Sequence, residues 1–447
     1  MSIELTILIV VIVALIFDFT NGFHDAANAM ATSVATGAFK PKVAVLLAAI
    51  MNLIGACLAT EVAKTISGGL VADSLITAKT VFAALVGAIL WNLLTWLFGM
   101  PSSSSHAVFG ALIGAVLVEA GMAGVNFSVV ISKILLPALI APLVAGVASY
   151  LATKISYRGA HSATKAVKKR YRTAQRVSSL MVALAHGTAD GQKTMGIIML
   201  VLIVGTTQLQ EISPGVTMWW HAEPGAAPHL WVILLAGIAI ALGTYSGGWR
   251  IMRTMGKGMA DIEPPQGFAV ETSAMAAILA SSHFGFGLST THVVSGAVMG
   301  TGLARTPDEV RWGTAGRMLS AWLLTLPAAG IIAAAAAWLV HLGDGGFITA
   351  IVFLVVSAVV IKIVSSHNHV SSENVNDSHE VKVLAKAAVS SQTARLPNPL
   401  LPPLTDKLTA HPMESNVLRL TRLKAPKQRS VPKVKVKTNP GGETDGN

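Results

Sequence analysis

Apolar and polar positions alternate along this chain in long blocks. Stretches near residues 3–23, 41–60, 79–98, 104–120 and 129–151 are apolar. After a polar break come 179–204, 230–247, 271–286, 289–304, 318–340 and 346–364. About twenty apolar residues span the hydrocarbon core of a bilayer, so the pattern predicts an all-α polytopic membrane protein. Two places break the apolar rule in a similar way. One is Phe17-Asp18-Phe19-Thr20-Asn21-Gly22-Phe23-His24-Asp25-Ala26-Ala27-Asn28-Ala29. The other is Ala185-His186-Gly187-Thr188-Ala189-Asp190-Gly191-Gln192-Lys193-Thr194-Met195-Gly196. A charge at bilayer depth costs about 2.5–3.5 kcal/mol on insertion scales and marks a functional site by default. The plainer alternative is an Asp that caps a helix end near the headgroups.

A second pair of motifs repeats in the same order. Ser103-Ser104-Ser105-His106-Ala107-Val108-Phe109-Gly110-Ala111 resembles Ser289-Thr290-Thr291-His292-Val293-Val294-Ser295-Gly296-Ala297. Each follows a Gly-rich break, at Gly99-Met100-Pro101 and at Gly285-Phe286-Gly287. The breaks predict two helical hairpins whose tips lie in or reach into the membrane, where irregular backbone needs protein or a water-filled cavity around it. Two ordinary spans joined by a short loop are the alternative. Five segments precede the polar break and five follow, plus one extra. An odd number per half forces opposite orientation, the inverted-topology repeat of secondary transporters. The expected organisation is a first repeat at 1–152, a basic cytoplasmic loop at 153–178 and a second repeat at 179–340. An extra transmembrane helix at 341–364 and a basic, disordered cytoplasmic tail at 365–447 complete it.

Composition agrees with a membrane protein and adds orientation. Of 447 residues, 53% are hydrophobic and 12% charged, against about 25% charged in soluble domains. The formal net charge is +11. Residues 153–178 carry Lys154, Arg158, Lys165, Lys168, Lys169, Arg170, Arg172 and Arg176 and no acidic residue, which places that stretch in the cytoplasm. Counting outward, the N-terminus falls outside and the tail inside. The basic tail fits contact with anionic lipid; no nucleic-acid partner is expected. The N-terminus lacks the positive region of a signal peptide, so residues 3–23 are expected to be retained. The single Cys57 is expected to be a small core residue.

The chemistry divides between the two kinds of motif. A helix N-terminus offers unpaired N–H groups and the positive end of a dipole. With the hydroxyls of Ser103, Ser104, Ser105, Ser289, Thr290 and Thr291, two such ends make a neutral-donor cradle for a tetrahedral oxyanion, or cap their helices, or both. Asp25 and Asp190 would repel an anion, so they fit cation or proton sites that offset its charge. A carboxyl taken out of water is suited to carrying a proton. Asn28 and Gln192 add neutral oxygens, and Lys193 can pair with Asp190 or with substrate. His24, His106, His186 and His292 stand in or beside these motifs and can shuttle protons, or serve as satisfied core residues. Glu271 is either another intramembrane carboxylate or a helix-start Glu favoured by the dipole. No Gly-x-Ser-x-Gly elbow occurs, which argues against a membrane hydrolase. A passive anion channel would not need paired intramembrane carboxylates. No cofactor or resident metal is expected.

These motifs resemble those of the PiT inorganic phosphate transporters, over roughly residues 5–364. That family's signature is close to Gly-Ala-Asn-Asp-Val-Ala-Asn-Ala in both halves. This chain has Gly22-Phe23-His24-Asp25-Ala26-Ala27-Asn28-Ala29, similar to bacterial low-affinity phosphate permeases. Its second copy has Ala189 where the family usually has Asn. Ser289-Thr290-Thr291-His292 also matches, and Gly267-Phe268-Ala269-Val270-Glu271 resembles a family segment with a functionally important Glu. The resemblance implies uptake of inorganic phosphate across the cell membrane by cation symport, in a homodimer. It implies proton coupling in the bacterial branch, with sodium as the alternative ion, and a divalent metal carried as a neutral metal–phosphate complex.

Overall fold

Ser2 caps the first helix by accepting a hydrogen bond from Leu5 N (3.3 Å). That helix, α1 (Ile3–Ala35), is 33 residues long, about 50 Å at 1.5 Å per residue. The computed structural model describes residues 1–159, 165–305, 310–367 and 370–376. In the first half α1 is followed by α2 (Pro41–Ala56), α3 (Glu61–Gly69), α4 (Ala78–Leu97), α5 (Ser104–Ala120) and α6 (Phe127–Val129). A π turn at Val130–Leu135 then leads into α7 (Leu136–Gly159). The second half holds α8 (Lys165–Ile212), α9 (Leu230–Ser246), α10 (Trp249–Lys257), α11 (Pro264–His283), α12 (Thr290–Arg305), α13 (Trp312–Val340) and α14 (Asp344–Ser366). Among the described residues no strand forms beyond one isolated bridge, Val71 with Val125.

Seven of these helices are long and apolar enough to cross a bilayer, or nine if each bent pair counts as one span. The bent pairs are α2 with α3, at 62°, and α9 with α10, at 69°. The hairpins α4–α5 and α11–α12 form where the Gly-rich breaks predict them. Gly99 (φ 62) and Gly285 (φ 65) supply the left-handed residue that turns each chain. The second hairpin falls outside the seven and the nine. Gln266, Glu271, Thr272 and Ser273 make α11 polar, and α12 has only 16 residues.

Packing repeats between the halves. α2 lies along α8, and α9 lies along α1; α13 packs on α4 and α5, and α7 packs on α11 and α12. The closest approaches repeat too. A Cβ on Gly114 would meet Gly330 O at 2.1 Å, and one on Gly300 would meet Gly146 O at 2.0 Å. Small residues let membrane helices approach this closely.

Three expectations need correction. The basic stretch 153–178 is not a loop over its described part: α7 runs to Gly159 and α8 begins at Lys165. Lys, Arg and Ala are good helix formers, so the basic residues on either side of 160–164 extend the two helices beyond their apolar spans. Cys57 is exposed at the C-terminal cap of α2 and is not a core residue. The start of the tail is docked: Val375 is buried, and Asn374 O accepts a hydrogen bond from Arg253 Nη2 (2.9 Å). The tail beyond residue 376 lies outside the described residues.

Candidate functional site

The two Asp-bearing motifs meet. Asp25 on α1 and Asp190 on α8 are buried, and with His186 they place one ligand atom each within 4.8 Å of one another. Their surroundings differ. Asp25 Oδ1 lies 2.7 Å from His24 Nδ1, and its Oδ2 accepts a hydrogen bond from Ser104 (2.6 Å). Asp190 Oδ1 accepts from the Lys193 ammonium, while its Oδ2 lies 3.3 Å from His186 Nε2, an ion-pair distance without hydrogen-bond alignment. The other ring nitrogen, His186 Nδ1, meets Asn52 Oδ1 at 3.2 Å, and Asn52 donates to Thr244 (2.7 Å). The structure therefore pairs Lys193 with Asp190. Lys193 is among the largest fully buried side chains, and a buried ammonium needs such a partner.

Both hairpin tips reach the same place. Asn28, one turn beyond Asp25, donates to Thr291 (2.9 Å) and Thr290 (3.2 Å) at the start of α12. Ser105 at the start of α5 donates to Leu288 O (3.0 Å), just ahead of α12. Ser103 and Ser289 cap the two helices by accepting from His106 N (3.1 Å) and His292 N (3.3 Å). Two helix N-termini with their first-turn N–H groups thus converge beside the Asp pair, with Asn28 Oδ1 left without a hydrogen-bond partner among the described residues. Gln192 does not join them. Its Oε1 accepts from Val62 N (2.8 Å) and its Nε2 donates to Thr188 O, so its amide holds the start of α3 against α8.

Glu271 is the eighth residue of α11, not its first, so a helix-start role is excluded. It is buried, and it accepts hydrogen bonds from Thr32 (2.6 Å) and Gln175 (3.0 Å) on one oxygen and from Ser178 on the other. This ties α1, α8 and α11 together at the far end of the α1 polar face.

A family model described as the phosphate transporter family matches residues 21–168 and 155–333. The chain belongs to that family. A probable low-affinity inorganic phosphate transporter of Mycobacterium leprae (strain TN) is 50% identical over 390 residues, covering 86% of this chain and 91% of that one. A protein of the same description from Bacillus subtilis (strain 168) is 39% identical and covers 76% of this chain and 98% of that one. A solved structure, described as the sodium-dependent phosphate transporter, has 26% identity and a TM-score of 0.65, over 75% of this chain and 99% of that one. The chain is thus a multi-pass membrane transporter of phosphate and not an enzyme.

In this transporter the four histidines take two kinds of place. His24 and His186 touch the Asp pair. His106 and His292 face each other edge-on, with ring centroids 4.7 Å apart, and His292 lies against Trp322 at 4.1 Å. Both line an apolar cavity of about 910 Å³ bordered by α7, α12 and α13. Several polar residues of the site carry no motif. Asn52, Thr95 and Ser102 contact the two Asp-side histidines, and Thr32, Gln175 and Ser178 hold Glu271. Helical spacing from Asp25 would have found Thr32, seven residues on and on the same face. Gln175 and Ser178 fall in the stretch that composition reads as a loop, which hides them.

Proposed function

We propose that this transporter takes up inorganic phosphate by proton symport. Phosphate binds between the two helix N-termini, on Ser104, Ser105, Thr290 and Thr291, with Asn28 between them. The observation that carries this is the convergence of both hydroxyl-bearing tips on the Asp25–Asp190 pair. Charge supplies the coupling. With both carboxyls ionised, the fixed charges are two negative and one positive, on Lys193. A like charge 4 Å away costs about 4 kcal/mol at the effective dielectric of such sites, so a phosphate anion enters only with added positive charge. Each Asp has a histidine beside it, and His24 and His186 can take that charge as protons. Lys193 already stands at the cation position beside Asp190. Glu271 positions α1 against α8 and α11.

In this reading the two halves stand inverted in the cell membrane, with the N-terminus outside and the described start of the tail in the cytoplasm. Rocking of one part against the other gives alternating access. Two copies assemble as a homodimer, and a divalent metal travels with phosphate as a neutral complex. Sodium is the second reading for the coupling ion, favoured by the likeness to the solved sodium-dependent phosphate transporter. Uptake into proteoliposomes, with pH, sodium and divalent metal varied independently, separates these. Uptake that requires sodium and ignores pH overturns the proton. Wild-type uptake by both Asp25→Asn and Asp190→Asn overturns the site.

A further inference from the structure

One face of α1 carries Asp18, Asn21, Asp25, Asn28 and Thr32, at spacings of three and four residues. From Asp25 onward each of these side chains holds at least one partner. Before Asp25 none does. Both carboxylate oxygens of Asp18, both amide atoms of Asn21, both amide atoms of Asn92 and the Thr194 hydroxyl have no hydrogen-bond partner among the described residues. All four side chains are buried. Native interiors pair nearly all such groups with protein or ordered water.

The four groups share one level. The Met1 ammonium and Lys79 Nζ both meet Asp344, at 2.6 and 2.8 Å, so α1 and α4 start at the same end and run parallel. They meet again where His24 Nε2 lies 3.2 Å from Thr95 Oγ1. Asn21 precedes His24 by three residues and Asn92 precedes Thr95 by three, which sets the two amides one turn nearer that end. α8 runs the other way, since Thr36 meets Gln175 (2.8 Å) while Asp25 stands by Asp190. Thr194, one turn beyond Asp190, therefore rises to the same level. It and Asn21 approach the Asp18 carboxyl without completing a hydrogen bond.

The unpaired atoms are both donors and acceptors. A metal cation would satisfy the oxygens and strand two amide NH2 groups. Water satisfies both kinds. We propose that Asp18, Asn21, Asn92 and Thr194 enclose an ordered water cluster, and that Asp18 is a proton station ahead of the Asp25–Asp190 site. This rests on the proton-coupled reading above. A proton taken from water onto an Asp18 oxygen passes through the cluster to the Thr95 and Ser102 hydroxyls. These are 2.8 Å apart and lie 3.2 and 3.3 Å from His24 Nε2. The His24 ring accepts it at Nε2 and releases one from Nδ1 to Asp25, 2.7 Å away. The charged groups facing Asp18 are Asp190 and Lys193 of α8. α4 brings none to that level, its Lys79 lying at the helix start, and the one ionisable residue of α9 is Tyr245, near its end.

The test compares two modes of the full-length protein in proteoliposomes: net uptake driven by a pH gradient, followed with an internal pH dye, and phosphate–phosphate exchange at equal pH. Asp18→Asn is expected to lower net proton-driven uptake about tenfold while exchange stays within about twofold, and Asp18→Glu is expected to restore net uptake. Infrared difference spectra on acidification should show a carboxyl band in the wild type that Asp18→Asn lacks. Equal loss of both modes, or no loss of either, overturns the station, as does an unchanged carboxyl band. Should Asp18→Asn fail to fold, Thr194→Val provides the same comparison, with a smaller selective loss of net uptake expected and an equal effect on both modes against the proposal. A wild type that moves no protons with phosphate fails the proton-coupled reading itself, which the wild-type measurement alone reveals.

Discussion

Asp18 and Glu271 are buried carboxyls at opposite ends of one polar stripe, and they are built in opposite ways. Glu271 accepts from three side chains drawn from two other helices. Asp18 accepts from none among the described residues. A carboxyl whose lone pairs are filled by protein is a clamp: its neighbours are fixed, and removing it strands them. A carboxyl with open lone pairs, in a wall of equally open amides, is a place where something else completes the shell. Hydrogen-bond completion, and not burial, separates the two, since both are buried.

That contrast can be broken by stability measurements alone. Glu271→Ala strands the Gln175 amide and the Thr32 hydroxyl, while the Ser178 hydroxyl keeps Gln175 O as its acceptor (3.1 Å). It is expected to lower the free energy of unfolding by roughly 3 kcal/mol, the upper end of the cost of leaving buried donors unmet, read from denaturant titration in detergent micelles. Thr32→Val removes one donor and leaves the other two on Glu271. A loss of about 1 kcal/mol is expected, and a loss as large as that of Glu271→Ala would show that Thr32 holds α1 by packing instead. Asp18→Asn removes no protein partner and should change stability by less than about 0.5 kcal/mol. A melting-temperature drop matching that of Glu271→Ala would make Asp18 a clamp as well and end the distinction.

Much of the site was legible in sequence, for a specific reason. Asp25 and Asp190 stand out because a charge in an apolar block is costly, and the second copy confirms the first. The tips stand out because Gly-rich breaks before hydroxyl clusters are rare inside apolar segments. Asp18 lies in the same motif but near the expected end of a span, where an Asp has an ordinary explanation. Only the continuation of α1 to Ala35 and the register of α4 and α8 show it to be buried. Gln192 and Lys193 are neighbours in sequence, yet one holds the start of α3 and the other pairs with Asp190. Successive residues of a helix point in different directions around its axis, so adjacent side chains face different partners.

The sequence alone determined what each segment must avoid. Apolar blocks must stay out of water, so the chain had to be a bundle of membrane helices. Repeated motifs had to occupy comparable positions, so two Asp and two hydroxyl clusters had to form one site or two matched ones. It could not determine which polar atoms would be satisfied. Pairing depends on contacts between residues as far apart as Asn28 and Thr291 or Thr32 and Glu271. Those contacts exist only once helices from both halves have packed, and the packing decides which carboxyl is filled and which is left open.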